Sequence, residues 1–139
     1  MAADPDCIFC KIVAGEVPCF KLFEDAETLA FMDINPVHEG HSLVIPKAHY
    51  PTVFDIMPEA FAAAARTAIK VARAVSAAVE PDGLNLIQAN GPGAGQSVGH
   101  FHLHVLPRRL NDRVAINWEP KPGDHAHIAA IAERIRGFL

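Results

Sequence analysis

The sequence predicts an α+β domain, in which a five-stranded antiparallel sheet accompanies one long helix and a C-terminal helix. Short runs of apolar and β-branched residues lie between turn residues, which is typical of strands joined as hairpins. One much longer segment repeats its apolar residues with the period of a helix. The predicted strands are 21–25, 28–33, 41–46, 84–88 and 100–106. We expect a single domain over residues 1–139, with fewer such signals in 110–139.

Three helices are predicted. A short one with apolar residues at helical spacing ends at Gly15, and the longest spans 58–79, where Pro58 suits a first helical turn. Apolar residues of the long helix predict the face that packs on the sheet: Phe61, Ala65, Ile69, Ala72, Val75 and Val79. A C-terminal helix carries the apolar stripe Ile128, Ile131, Ile135 and Phe138. The segment 108–123, which holds Trp118, is predicted to be irregular.

Composition limits the classes of partner and location. The net charge is −4, from 12 basic and 16 acidic residues, which argues against nucleic acid because no basic stripe can displace counterions. No window approaches 18 apolar residues, so no membrane span is predicted. The N-terminus lacks the pattern of a signal peptide, and an odd number of cysteines, 3, favours a reducing compartment. The expected location is the cytoplasm.

The most informative stretch is a row of alternate histidines, His100, His102 and His104. Side chains on a strand repeat their direction every two residues, so the three rings share one face about 7 Å apart. The apolar residues between them then fill the opposite face. Three ionisable rings make a poor core and a plausible reactive surface.

A glycine-rich turn, 91–95, comes just before this row. Glycines leave backbone N–H groups uncovered, which suits an anion such as a phosphate. Ser97, the N–H groups after Gly95 and the amide of Asn90 are placed by sequence to donate to phosphoryl oxygens. The stretch therefore predicts a place where a phosphate meets histidines.

Three hypotheses fit the row. In the first, His102 attacks phosphorus, since imidazole with a pKa near 6.5 is mostly neutral at pH 7 and needs no base. In the second, the rings hold a catalytic zinc that keeps a position open for water. In the third, the protein is not an enzyme: the row is a solvent face, an adventitious metal site, or part of a module that binds a nucleotide without turning it over.

Cys7 and Cys10 have the spacing of half a zinc site, a redox pair or two inert buried thiols. No strand comes before them, which disfavours the redox interpretation. A tetrahedral zinc would need two further ligands, for which histidines are suited. Asp33 ends a predicted strand, where its carboxylate can bind a ligand's hydroxyls or cap a turn.

These residues resemble the histidine-triad (HIT) family. His100-Phe-His-Leu-His-Val-Leu matches its His-φ-His-φ-His-φ-φ motif, where φ is apolar. Further blocks follow in family order: Cys7-Ile-Phe-Cys-Lys-Ile, Phe31-Met-Asp-Ile-Asn-Pro, Gly40-His-Ser-Leu-Val-Ile-Pro-Lys-Ala-His and Asn90-Gly-Pro-Gly-Ala-Gly-Gln-Ser-Val. Gly99 departs from the apolar or aromatic residue of many relatives. His38 and Glu39 are also unusual, and we assign them no role.

The resemblance implies a HIT-like fold and a hydrolase or transferase that cleaves purine nucleoside phosphoramidates or adenylyl derivatives at the α-phosphate. His102 would become nucleotidylated, His104 would contact the phosphate and orient the nucleophile, and His41 would flank the phosphate. Diadenosine polyphosphate hydrolysis is an alternative within the family, and a non-catalytic nucleotide-binding module remains open. Implied phosphate contacts are Asn90, Gly95, Gln96, Ser97 and Val98. Asp33 would hold the ribose, and the implied base slot is Phe9, Ile12, Phe31 and Ile34.

The resemblance also implies a structural zinc and a homodimer. The zinc ligands would be Cys7, Cys10, His49 and His100. Family members commonly pair through the long helix and a central strand, for which the alanine-rich face from Ala62 to Ala78 is suited.

Overall fold

The computed structural model describes residues 2–116 and 119–139, so the predicted position of Trp118 lies outside the described residues. The predicted α+β architecture is confirmed. The helices are α1 (Ile8–Val13), α2 (Pro58–Val79) and α3 (His125–Arg136). The strands are β1 (Lys21–Glu24), β2 (Thr28–Met32), β3 (Ser42–Pro46), β4 (Gly83–Ile87) and β5 (Leu103–Arg108). A single 3₁₀ turn, Pro92–Ala94, lies in the glycine-rich loop between β4 and β5.

The five strands form one sheet in the order β1-β2-β3-β5-β4. Each neighbouring pair is antiparallel, as the hairpin spacing predicts. β5, which carries His104, lies between β3 and β4, and His104 is the partner of Leu43 in the register. Cross-strand partners share a face of the sheet, so His104 points to the same side as Leu43.

α2 covers one face of the sheet with small and branched side chains. Ala64, Ala68, Val71 and Val75 pack in a core with sheet residues such as Val44. The predicted packing face is right in part. Val75 is buried and Ala72 and Val79 pack against this core, whereas Phe61 is 36% exposed and Ile69 is 49% exposed. Alanines on both sides of the stripe blur its centre, so the helical period alone does not locate it.

α1 and the histidine row lie on the opposite face. The second core cluster joins Leu29, Phe31, Leu43 and Ile45 of β2 and β3 to side chains of α1. Those α1 side chains are Cys7 (its N-cap), Phe9 and Cys10. The short helix therefore places two thiols and an aromatic ring beside the histidines.

The predicted start of β5 at His100 is wrong, since the regular strand begins at Leu103. The N–H of Phe101 donates instead to the carbonyl oxygen of Tyr50, 2.6 Å away. The segment stays extended enough to keep the alternation: Phe101 is fully buried in the α2 core, and the histidines face α1. β5 also continues through Pro107, which pairs with Leu84 of β4. The pairing of β5 with β3 has already ended at Val105, so the N–H that proline lacks is not needed for a bond to β3.

α3 forms as predicted, and no residue in it is buried. Its apolar stripe does not pack on the sheet: Ile128 is 54% exposed and Ile135 is 55% exposed. Among the described residues, no helix has the length and apolar character needed to cross a membrane.

Candidate functional site

The structure determines which nitrogen of His102 carries a hydrogen. His102 Nδ1 lies 2.6 Å from the carbonyl oxygen of His100. A carbonyl oxygen only accepts, so Nδ1 must donate a hydrogen. In the neutral ring the other nitrogen, Nε2, then keeps its lone pair. The backbone two residues earlier therefore holds His102 in the tautomer that a nucleophile needs.

Two consecutive hydrogen bonds orient His104. The N–H of Val37 donates to His41 Nδ1, 3.1 Å away, so the neutral His41 ring carries its hydrogen on Nε2. That Nε2 lies 2.9 Å from His104 Nδ1 and donates to it. Nε2 of a neutral His104 consequently bears a hydrogen and can donate to a ligand. The two rings are 4% exposed (His41) and partly buried (His104).

All three of these rings are kept neutral. Burial lowers the pKa of His102, while its bond to the His100 carbonyl acts in the opposite sense. Burial, reinforced by the neighbouring rings of His102 and His41, lowers the pKa of His104 to about 4. Burial also lowers the pKa of His41, and the nearby Asp33 carboxylate raises it. The rings are therefore neutral hydrogen-bonding groups at pH 7.

A cavity of about 290 Å³ opens onto His102 and His104. This volume lies near the lower end of the range for small-molecule sites. Predicted residues that line it are Phe9, Ile12, Phe31, Asp33, Ile34, Ser97, Val98, His102 and His104. The ring of Phe9 stands edge-on to both Phe31 and His102, with centroids 5.4 Å and 5.3 Å away. One cavity thus brings together an apolar slot, the Asp33 carboxylate, the Ser97 hydroxyl and two histidines of the row.

Asn90, Gly95 and Gln96 do not line this cavity. The Gln96 side chain closes the glycine loop: Oε1 accepts from the Gly91 N–H at 2.8 Å, and Nε2 donates to the carbonyls of Pro51 and Val98. Asn90 Oδ1 accepts from the Val53 N–H at 2.7 Å. The two amides therefore stabilise the loop that presents Ser97.

The glycines of this loop differ in what they require. Gly95 has a φ of 78°, a left-handed conformation that favours glycine. At Gly99 an added Cβ would meet nothing within 4 Å, so an apolar residue would fit there.

Sequence reasoning missed several residues of the site. Val17, Pro18 and Cys19 also line the cavity, because the chain between α1 and β1 passes along its apolar end. Their only signal was position, between an apolar helix and a strand. Cys19 contacts the second core cluster.

Cys7, Cys10, His49 and His100 come together as a group that could hold a metal ion. Their distances fit zinc, since a tetrahedral ion at normal bond lengths places nitrogen ligands about 3.3 Å apart and nitrogen and sulfur ligands about 3.6 Å apart. His100 Nδ1 lies 3.2 Å from His49 Nδ1, 3.5 Å from Cys7 Sγ and 3.6 Å from Cys10 Sγ. His100 Nε2 donates to the Pro46 carbonyl at 2.8 Å, the second bond typical of a metal-bound histidine.

Asp33, His41 and His104 form another group with suitable spacing. Here the hydrogen bonds oppose a metal. A neutral metal-bound histidine donates from its second nitrogen, whereas Nδ1 of His41 accepts from the Val37 N–H. A metal on His41 Nε2 would break that bond or require an anionic ring. Because His100 Nδ1 turns to the thiols of Cys7 and Cys10, a zinc shared by all three rings of the row is also excluded by this geometry.

The chain matches the HIT domain family over residues 14–111. It belongs to the HIT family. The resemblance found in the sequence is thereby confirmed, and the five-stranded α+β sheet is the HIT fold.

Two HIT relatives bear names that state an activity. An adenosine 5′-monophosphoramidase of Schizosaccharomyces pombe is 38% identical over 130 residues, which cover 93% of this chain and 95% of the relative. An adenylylsulfatase of Arabidopsis thaliana is 45% identical over 107 residues, or 77% of this chain. The aligned part makes up 54% of the Arabidopsis protein.

Solved HIT structures agree with this fold. A HIT family protein of Bacillus anthracis superposes with a TM-score of 0.89 at 39% identity, covering 99% of both chains. A zinc-bound histidine triad family protein of Mycobacterium smegmatis superposes with a TM-score of 0.75 at 36% identity, covering 95% of this chain and 97% of the other.

Proposed function

We propose that this HIT protein hydrolyses purine nucleoside phosphoramidates or related adenylyl derivatives, and that His102 Nε2 attacks the α-phosphorus. The observation that carries the proposal is the bond from His102 Nδ1 to the His100 carbonyl, which leaves the Nε2 lone pair available beside the cavity. Relatives named adenosine 5′-monophosphoramidase and adenylylsulfatase support the class of substrate.

The reaction takes two displacements at phosphorus. In the first, the Nε2 lone pair forms a bond to phosphorus while the phosphorus–nitrogen bond of the substrate breaks, and the amine leaves after its nitrogen takes one proton from solvent. The intermediate carries AMP on His102, and its imidazole bears a positive charge, which makes it a good leaving group. In the second, water attacks phosphorus, the bond to Nε2 breaks, AMP is released, and one proton of the water goes to solvent.

Neighbouring side chains stabilise the phosphoryl charge. His104 Nε2–H donates to a non-bridging oxygen, because its Nδ1 is occupied by His41. Ser97, which lines the cavity, supplies a hydroxyl donor. The His104 donor is oriented by His41 before the substrate arrives, so little reorganisation is needed there when charge develops. The flanking His41 acts on the phosphate through His104.

The nucleoside occupies the rest of the cavity. Asp33 Oδ1 accepts from the Asn35 N–H at 2.8 Å, which holds the carboxylate at the cavity so that it can accept from the ribose hydroxyls. The purine lies between Phe9, Phe31 and the aliphatic side chains of Ile12 and Ile34. Burial of these apolar faces against a flat base supplies affinity without specifying adenine or guanine.

Cys7, Cys10, His49 and His100 hold a structural zinc in this proposal. The ion would cross-link the start of α1 to the segments that follow β3 and precede β5, and it takes no part in the chemistry. His100 Nδ1 then stays bound as a ligand while its backbone carbonyl orients His102. Thus one residue links the scaffold to the nucleophile.

The whole chain, 1–139, acts as a single domain and pairs as a homodimer in the cytoplasm. The outer face of α2 presents the half-exposed Ile69, and β4, at the edge of the sheet, presents Leu86, which is 51% exposed. An edge strand and an uncovered apolar helix face are suited to pairing with a second copy.

Steady-state assays with adenosine 5′-phosphoramidate test the proposal. The wild type should release AMP, and His102→Ala should lower kcat by a factor on the order of 10³ or more while it still binds AMP. Wild type that binds AMP but turns over none of a panel of amine, sulfate and polyphosphate leaving groups would favour the non-catalytic binding module.

A further inference from the structure

His38 stands beside the residues that orient His41. The loop between β2 and β3 contains Val37, whose N–H donates to His41 Nδ1, and His38, whose carbonyl accepts from the His41 N–H at 3.1 Å. Both of these bonds to His41 therefore come from two consecutive residues. The tautomer of His41 depends on where that short piece of backbone lies.

The His38 side chain joins this backbone to Asp112, in the segment that follows β5. His38 Nε2 lies 2.9 Å from Asp112 Oδ2 and donates to it. Asp112, whose side chain is 4% exposed, also accepts from Arg108 Nε and a terminal nitrogen of Arg108, each at 2.7 Å. The bond from Arg108 holds the pKa of Asp112 well below its usual range, so the carboxylate stays an acceptor. Backbone N–H groups of Arg109 and Val114 complete its set of donors.

The other end of the loop is fixed by packing. Gly40 has a φ of 90°, and an added Cβ would lie 3.2 Å from both Pro107 Cγ and Val75 Cγ1. The loop is thus held against β5 and α2 on one side and joined to Asp112 by His38 on the other. Directly after the second anchor, His41 points its Nε2–H at His104.

We propose that His38 is a positioning residue, which through Asp112 holds the Val37 N–H on His41 and thereby orients the N–H that His104 offers to the phosphate. This inference rests on the proposed function for its kinetic consequence. Its structural part, the tautomer of His41, is independent of any activity. His38 itself touches neither the cavity nor the reacting atoms.

Two amide variants form a matched pair for the test. The amide nitrogen of glutamine can occupy the position of a histidine Nε2, so His38→Gln keeps the bond to Asp112. The amide of asparagine is too short to reach it, so His38→Asn removes the bond with little change in polarity. His125→Ala, which deletes an exposed histidine of α3, serves as the control. Melting curves and metal content check that every variant is folded.

The readout is the protonation of His41, measured by ¹⁵N–¹H NMR of the imidazoles, together with kcat and KM for adenosine 5′-phosphoramidate. In wild type, His38→Gln and His125→Ala, His41 should carry its hydrogen on Nε2 alone. In His38→Asn, it should exchange between the two nitrogens, and kcat should fall roughly tenfold with a smaller change in KM. If His41 keeps the single Nε2–H tautomer in His38→Asn, the inference is overturned. Inactive wild type would refute the proposed function, and the NMR result would still decide this inference.

Discussion

His102 donates from Nδ1 to the backbone carbonyl of His100, and the His100 side chain points its own Nδ1 at two cysteines. Residues two apart in the motif therefore have different duties. The His100 ring belongs to a candidate metal centre, and the backbone carbonyl of His100 sets the tautomer of the His102 ring. A displacement of His100 at the candidate metal centre would move this carbonyl and so change the orientation of the His102 ring, the proposed nucleophile.

The lowered pKa of His102 predicts the pH dependence of the reaction. In the proposed reaction the neutral ring is the nucleophile, and a pKa below the ordinary value of about 6.5 keeps it neutral to lower pH. The acid limb of kcat/KM should therefore lie below about pH 6.5, with a plateau through neutral pH. Rates between about pH 4.5 and pH 8 with a substrate that does not ionise in that range measure this limb. A limb at or above about pH 7 would mean that the nucleophile is not desolvated as described.

Loss of one thiol should remove the metal. Cys10→Ser should lower zinc from about one ion per chain to a small fraction, because serine oxygen is a poor zinc ligand. The melting temperature should fall, since metal binding contributes to folding. Metal analysis and thermal denaturation provide the measurements. Cys19→Ser is the control: Cys19 lies outside the metal group, and its removal should leave zinc content unchanged.

The carboxylate of Asp33 should distinguish ribose from its deoxy analogues. The wild type should prefer adenosine phosphoramidate over the 2′,3′-dideoxy compound by about tenfold to hundredfold in kcat/KM, the usual value of hydrogen bonds to a charged group. Asp33→Asn should remove most of this preference, chiefly through KM. A preference that survives the substitution would place the ribose elsewhere.

The proposed dimer makes a prediction about Ile69 and Leu86. A charge at either half-exposed position should be costly in an apolar interface, so Ile69→Glu and Leu86→Lys should shift the protein from dimer to monomer. Sedimentation at several concentrations measures the shift. Phe54→Glu, at an 88% exposed loop position, should leave the dimer intact. Wild type that sediments as a monomer throughout would refute the pairing.

Local signals in the sequence predicted most of the fold. Alternation within 100–105 placed the histidines on one face and Phe101 on the other, and this holds although the regular strand begins later, at Leu103. The alternation follows from extended backbone and does not require ladder pairing. The packing face of α2 was less accessible, because alanines on several sides leave its period ambiguous.

The electronic detail of the site depends on tertiary contacts. The tautomer of His41 follows from a neighbouring N–H, and His38 meets Asp112 across 74 positions of the chain. The sequence around His41 and His38 has no local pattern that predicts these bonds. Likewise, the bonds of the Gln96 and Asn90 amides to backbone groups of distant residues depend on the folded loop and have no local signal in the sequence.

The central claim is that AMP becomes covalently attached to His102, and intact-mass analysis tests it most directly. Protein mixed briefly with adenosine 5′-phosphoramidate and quenched by denaturation should gain the mass of one AMP, located on His102 by peptide mapping. His102→Ala should gain none. Turnover by wild type with the AMP group located on any other residue would contradict the account.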